Sequence, residues 1–240
     1  MAVLFISDLH LDASRPAATN AFRLFLTQEA RQVDALYILG DLFEYWISDD
    51  DQNPHYRQII DALAELTSAG IKCYIMHGNR DFMLGRRFTQ ESGTTLLHDP
   101  TLIYAGGQSV LISHGDMLCT DDLGYQRFRR IVRSSWFQRL YTALPFFFKR
   151  RLAIKARSKS EDSMDNKPPE ILDVNQQAVA DILKQYKVDT LLHGHTHRPA
   201  IHQFKIDGRM MTRIVLGDWY ESGSVLRWDQ AGPQLSTLNF

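Results

Sequence analysis

The stretch LLHGHTHRPA, residues 191–200, runs an apolar segment into three histidines within five positions, with a glycine between the first two. A short apolar run of this kind reads as a buried strand, so the imidazoles sit where a strand ends. Four other stretches share this arrangement: VLFIS leads into Asp8 and His10, LYILG into Asp41, YIMHG into Asn79, and VLIS into His114. Between the first of these lie helix-period stretches, one around Phe22, Phe25 and Leu26 and another from about residue 54 to 69, which makes a βαβαβ opening and an α/β fold class. In an open α/β sheet, ligands bind in the crevice beyond the carboxyl ends of the strands. Five segments therefore deliver Asp, His and Asn side chains to one rim.

The rest of the chain fits around that frame. Residues 101–115 read as a hairpin through Gly106 and Gly107, residues 173–186 as a helix, and the tail from His202 as short strands and turns. No internal repeat or low-complexity tract interrupts it, and residues 121–168 stand out as an inserted module. At 240 residues, 44% hydrophobic and 23% charged, the composition is that of one large domain spanning 1–240. Cys73 and Cys119 are the two cysteines, which implies no disulfide framework and fits a reducing compartment, hence a cytoplasmic location. The N-terminus lacks a basic n-region and reads as a strand rather than a signal peptide.

The net charge of −1 conceals an asymmetry: residues 125–159 hold eleven Lys/Arg and no Asp/Glu, leaving sixteen basic against 28 acidic residues elsewhere. The same segment carries Trp136, Phe137, Leu140, Tyr141, Leu144, Phe146, Phe147 and Phe148. Cationic and apolar side chains mixed in this way suit an interfacial helix. They also suit a surface helix pair with its own core, or contact with nucleic acid.

A single Asp or His at a strand end is commonly a turn former, but five such ends together form a ligand set. Imidazoles combined with carboxylates and an amide suit a borderline divalent ion such as Mn²⁺, Zn²⁺ or Fe²⁺ better than Ca²⁺, which prefers oxygen alone. His55, His98 and His202 fall outside the pattern and read as surface residues; His77 and His193 read as packing or supporting groups.

The ordered set Asp8-x-His10, Gly40-Asp41, Gly78-Asn79, His114-Gly115 and Gly194-His195-x-His197 resembles the calcineurin-like metallophosphoesterases over nearly the whole chain. That resemblance implies an αββα sandwich of two mixed sheets flanked by helices, with residues 121–168 as a helical cap. FISDLHL, ALYILGDLFEYWI, HGNRDF, HGDMLCTDD and HGHTHRPA are similar to the branch of the family that acts on UDP-2,3-diacylglucosamine in lipid A biosynthesis. The resemblance to that branch implies a Mn²⁺-dependent enzyme, peripheral on the cytoplasmic face of the inner membrane, that releases UMP and 2,3-diacylglucosamine 1-phosphate. Its partners would be the lipid-linked UDP-sugar and an anionic membrane surface, with no nucleic acid and no obligate protein partner.

By the same resemblance, Asp8, His10 and His197 hold one ion, Asn79, His114 and His195 the other, and Asp41 bridges a pair about 3.5–4 Å apart. Hydroxide would attack the uridine-side (α) phosphorus, with Arg80, Asp41 and His195 as the catalytic groups. Substrate contacts are implied for Asn79, Arg80, Asp122, Ser160, Lys167 and His195, and also for Tyr125 and Arg157; Met164 departs from the small polar residue usual at its position. Arg80 also has a reading from chemistry alone. Many relatives have a histidine after the Asn, able to protonate an alkoxide leaving group. A phosphate monoester has its second pKa near ~6 and departs unprotonated, so a fixed cation is more useful there. The competing reading pairs Arg80 with Asp81. A soluble phosphodiesterase or phosphatase of the same fold leaves the apolar, basic insertion unexplained, and a non-catalytic scaffold leaves seven competent ligand residues unexplained.

Overall fold

A computed structural model describes residues 2–164, 171 and 173–240, without the side chains of residues 157–164. Of the expected substrate contacts, Lys167 lies outside the described residues, as do the side chains of Arg157, Ser160 and Met164.

The chain begins β1 (Val3–Ile6), α1 (Pro16–Gln28), β2 (Ala35–Ile38), α2 (Pro54–Ser68), β3 (Lys72–Met76), α3 (Arg86–Ser92) and β4 (Thr95–Leu97). It continues β5 (Thr101–Ala105), β6 (Gln108–Ser113), α4 (Leu123–Val132), α5 (Ser135–Ala143), α6 (Phe146–Met164) and α7 (Gln176–Tyr186). It closes with β7 (Thr190–His193), β8 (Ala200–Ile206), β9 (Arg209–Val215), β10 (Ser222–Asp229) and β11 (Gly232–Asn239). Helix starts follow local chemistry. Pro54 follows Asn53, whose side chain accepts from the His55 amide, and Asn175 accepts from the Gln177 and Ala178 amides.

Two mixed sheets result, ordered β11-β10-β1-β2-β3-β4 and β5-β6-β7-β9-β8. In the first, β1 to β4 are parallel; in the second, β6, β7 and β9 are parallel. Val3, Phe5, Leu39 and Met76 of one sheet pack against Val110, Ile112, Leu192 and Ile214 of the other. A fully buried side chain such as Phe5 contributes roughly 1.5–3 kcal/mol. Phe22, Phe25, Ile59, Ile60 and Leu63 of α1 and α2 cover the outer face of the first sheet, and Val179, Ile182 and Leu183 of α7 that of the second. The layers are α, β, β, α. Because β1, β2 and β3 in one sheet and β6 and β7 in the other are buried and parallel, their C-terminal ends meet along one edge of the sandwich.

Residues 123–164 form α4, α5 and α6 beside that edge. Among the described residues, nine of the sixteen exposed large hydrophobic side chains fall between Leu123 and Ile154, among them Trp136, Leu140, Phe147 and Phe148. The segment's charge is divided between two directions. Arg127, Arg130, Arg139, Arg150, Arg151 and Lys155 are exposed, whereas Lys149 is 1% exposed and pairs with Asp50 at 2.5 Å. No described helix is long and apolar enough to cross a membrane.

Candidate metal centre

Each strand end turns sharply to present its ligand. Among the described residues seven non-glycine residues have positive φ, and five of them are Asp8, His10, Asp41, His195 and His197. A side chain held there costs about 1–3 kcal/mol and persists only where neighbours over-determine it. Here backbone bonds do so: the Asp8 amide donates to Gly40 O at 3.1 Å, the His10 amide to Asp41 O at 3.0 Å, and the Trp219 amide to Asp8 O at 3.1 Å.

The side chains converge in two groups around Asp41. In the first, His10 Nε2 and His197 Nε2 lie 3.3 Å apart, and Asp8 Oδ1 is 3.4 Å from His197 Nε2 and 3.9 Å from His10 Nε2. In the second, Asn79 Oδ1 is 2.9 Å from both His114 Nε2 and His195 Nδ1. Asp41 Oδ2 stands 3.8 Å from His10 Nε2 and 3.8 Å from His114 Nε2, one nitrogen from each group. The other carboxylate oxygens are already used: Asp41 Oδ1 accepts from the Arg80 amide at 2.7 Å, and Asp8 Oδ2 accepts from the His195 amide at 2.8 Å and from the Ser7 hydroxyl. Asp8 Oδ1, by contrast, is buried without an aligned hydrogen bond. A buried carboxylate oxygen left open beside two imidazole nitrogens fits a divalent cation. Among the described His, Cys, Asp and Glu residues, Asp8, Asp41 and His114 form one group of donors close enough to hold one, and Asp8, His10 and His197 another.

The electrostatics agree. Burial raises the Asp41 carboxyl to about 6 despite His114 and His10 nearby. Burial likewise pushes His195 down to about 3, so it stands neutral as a ligand must. Burial would also lower His197, but its bonds to Asp218 and Asp8 outweigh that and hold it up at about 10. The carboxylates of Asp8 and Asp218 that hold His197 up are negative charge of the kind a divalent cation would balance.

Glycines flank the ligands because nothing larger fits. A Cβ at Gly194 would overlap Ser7 Oγ and Asp8 Oδ2, and one at Gly78 would overlap Asp41 Oδ1.

Arg80 does not pair with Asp81. Asp81 is fully buried and accepts from the amides of Gly78 at 2.8 Å, Leu42 at 2.8 Å and Asp41 at 3.3 Å, tying two ligand loops together. The Arg80 guanidinium instead lies 3.5 Å from Glu44 at the rim. Asp122 caps α4 through the Tyr125 amide, and the Tyr125 ring stacks on His195 with centroids 6.4 Å apart, bringing both toward the second group. Among the other histidines, His98 and His202 are exposed, His55 meets Thr19, His77 meets Leu84 O, and His193 is buried against Gly194 O.

Five residues outside the sequence-derived set hold the site in place. Asp218 Oδ2 lies 3.2 Å from His197 Nδ1, and Tyr220 stacks on His10. Asp116 is fully buried and receives Arg129 at 2.8 Å and Arg133 at 3.3 Å, which anchors α4 to the loop carrying His114. These arginines therefore face the protein rather than solvent. Gly217-Asp218 and Gly115-Asp116 repeat the glycine-acid pairing of Gly40-Asp41, and that was the available signal.

Residues 1–199 match the family described as calcineurin-like phosphoesterase. A UDP-2,3-diacylglucosamine hydrolase of Escherichia coli is 50% identical over 227 residues, 95% of each chain. Proteins of the same description from Klebsiella pneumoniae and an Enterobacter species are 51% identical over 227 residues, 95% of each chain, and 48% identical over 240 residues, 100% of each chain. The chain therefore belongs to the calcineurin-like phosphoesterase family.

Proposed function

We propose that the chain hydrolyses the diphosphate bond of UDP-2,3-diacylglucosamine, with two Mn²⁺ ions, to give UMP and 2,3-diacylglucosamine 1-phosphate. The observation that carries this reading is one juxtaposition: a rim of phosphoesterase ligands lies beside three helices that expose nine large hydrophobic side chains. A diacylated nucleotide sugar needs both surfaces, and the relatives that match this chain end to end are described as hydrolases of that compound.

Asp8, His10 and His197 would hold one ion, Asn79, His114 and His195 the other, and Asp41 Oδ2 both. When bound, such a pair neutralises phosphoryl charge and acidifies water. The chain's own groups do the rest. Arg80, its side chain 20% exposed and its backbone fixed on Asp41, offers fixed positive charge to the departing phosphate. Asn79 and His195 meet the phosphates, and Asp122 and Tyr125 border them from α4. The family resemblance adds Arg157, Ser160 and Lys167 as substrate contacts. The apolar side chains of the cap receive the acyl chains, and its six outward cations rest on the anionic cytoplasmic face of the inner membrane, each contributing on the order of 1 kcal/mol there.

Purified protein, stripped with chelator and given the substrate in detergent, should release no UMP until Mn²⁺ is added. In ¹⁸O-water the label should enter UMP, because attack falls on the α-phosphorus. Label in the sugar phosphate would place the attack on the other phosphorus, and metal-independent release would remove the reading.

A further inference from the structure

The loop after β2 carries Glu44 three residues beyond Asp41, and its carboxylate reaches two groups with separate tasks. Oε2 is 3.2 Å from His10 Nδ1, and Oε1 is 3.5 Å from Arg80 Nη1. Glu44 and the His10 end of this bridge are fixed. The Glu44 amide donates to Leu11 O at 3.1 Å, beside the bridge between Leu11 and Phe43, so the loops bearing His10 and Glu44 are tied together. The His10 ring is buried and stacked on Tyr220, with centroids 5.3 Å apart and planes at 14°.

An imidazole ligates only through a nitrogen without a proton, so the opposite nitrogen must carry it, and an acceptor there sets the tautomer. Leu39 O faces His114 Nδ1 at 2.9 Å and Asp218 faces His197 Nδ1 at 3.2 Å. Glu44 stands in the same relation to His10, but it differs in reaching Arg80 as well. His10 Nδ1 is buried without an aligned hydrogen bond, and contacts of this kind tighten when the complex assembles.

We propose that Glu44 is a positioning residue that couples the first ion's ligands to the phosphate-binding arginine. One oxygen accepts a hydrogen bond from His10 Nδ1–H, so that the proton stays on Nδ1 and Nε2 turns its lone pair toward Asp8 and His197. The other holds the Arg80 guanidinium beside that group of ligands. This rests on the metal-centre reading above.

The test begins without turnover. Chelator-stripped full-length protein is titrated with Mn²⁺, and free Mn²⁺ is followed by electron paramagnetic resonance. Wild type is expected to bind two ions. Glu44→Ala should weaken one of them about 10- to 100-fold. Glu44→Gln, which keeps an acceptor oxygen but no charge, should fall between the two. At saturating Mn²⁺, Glu44→Ala should still show a raised KM for the diphosphate substrate. In an Arg80→Ala background the same change should leave KM unmoved while still weakening Mn²⁺, as expected when two residues act through one contact.

A folded Glu44→Ala protein that binds both ions as wild type does would overturn the proposal, as would KM effects of the two substitutions that simply multiply. If Glu44→Ala does not fold, Glu44→Gln decides, and unchanged Mn²⁺ affinity there overturns the proposal alone. Wild-type protein that binds no Mn²⁺ would remove the metal centre and this coupling with it.

Discussion

Replacing Asp116 with asparagine keeps the shape of a fully buried side chain and removes its charge. Oδ2 of this carboxylate accepts from Tyr125 Oη at 2.5 Å, Arg129 Nε at 2.8 Å and Arg133 Nη2 at 3.3 Å, so one oxygen collects three donors of α4 and the residue that follows it. Burial alone would raise its pKa, but Arg133 above all, then His114 and Arg129, hold it well below the usual range. Removing one partner of a buried pair costs about 3–5 kcal/mol. Arg129 retains Asp99 at 3.1 Å and Arg133 retains Gly78 O at 3.0 Å, which places the expected loss at the lower end, about 3 kcal/mol. For a chain of this length 1 kcal/mol moves the midpoint roughly 2–4 °C, so the variant should melt about 6–12 °C lower. Because the native pKa is depressed, this stability is present above the ordinary aspartate value of about 3.9 and is lost as pH falls through the native one, so the gap between the proteins should narrow below about pH 4. Thermal unfolding gives the midpoint, and hydrogen exchange across residues 123–132 shows whether α4 loosens. A variant that melts within about 1 °C of wild type at pH 7, with unchanged exchange in α4, would refute the reasoning and leave apolar contacts as what holds the cap.

Three further outcomes follow from the geometry. Gly194→Ala forces a Cβ onto Ser7 and Asp8, so the protein should lose about 1–3 kcal/mol and retain less Mn²⁺ after desalting; full metal retention would contradict this. Burial pushes both Cys73 and Cys119 up to about 12, so at pH 8 both should resist a thiol reagent in native protein and react in urea, and fast native labelling of either would count against their placement. Phe147 and Phe148 are exposed, whereas Phe146 is only half-buried and belongs partly to the helix packing. Replacing the two exposed rings with serine should therefore change stability by less than about 0.5 kcal/mol each while weakening binding to anionic vesicles; an equal fall in melting temperature would assign them to the folding core.

The ligand rim was legible because it rests on local pattern. Buried parallel strands appear as short apolar runs, and Asp8, Asp41, Asn79, His114 and His195 each follow such a run within three residues. The contacts that organise the rim were not legible, because they depend on which loops meet. Asp81 follows Arg80 in sequence yet spends its oxygens on three backbone amides. Asp218 lies in a segment that reads as tail strands, and only the sandwich brings it to His197. Counting charge could not separate Arg129, Arg133 and Lys149, which face inward, from the six cations that face outward. Helix α3 and strand β4, seven and three residues long, are too short for periodicity to show.

The central claim is that Asp41 binds two ions at once. Anomalous diffraction from crystals of the Mn²⁺-loaded protein tests it directly. Two peaks about 3.5–4 Å apart, one among Asp8, His10 and His197, the other among Asn79, His114 and His195, with Asp41 Oδ2 between them, is the predicted result. A single peak, or two with Asp41 bound to only one, would contradict it.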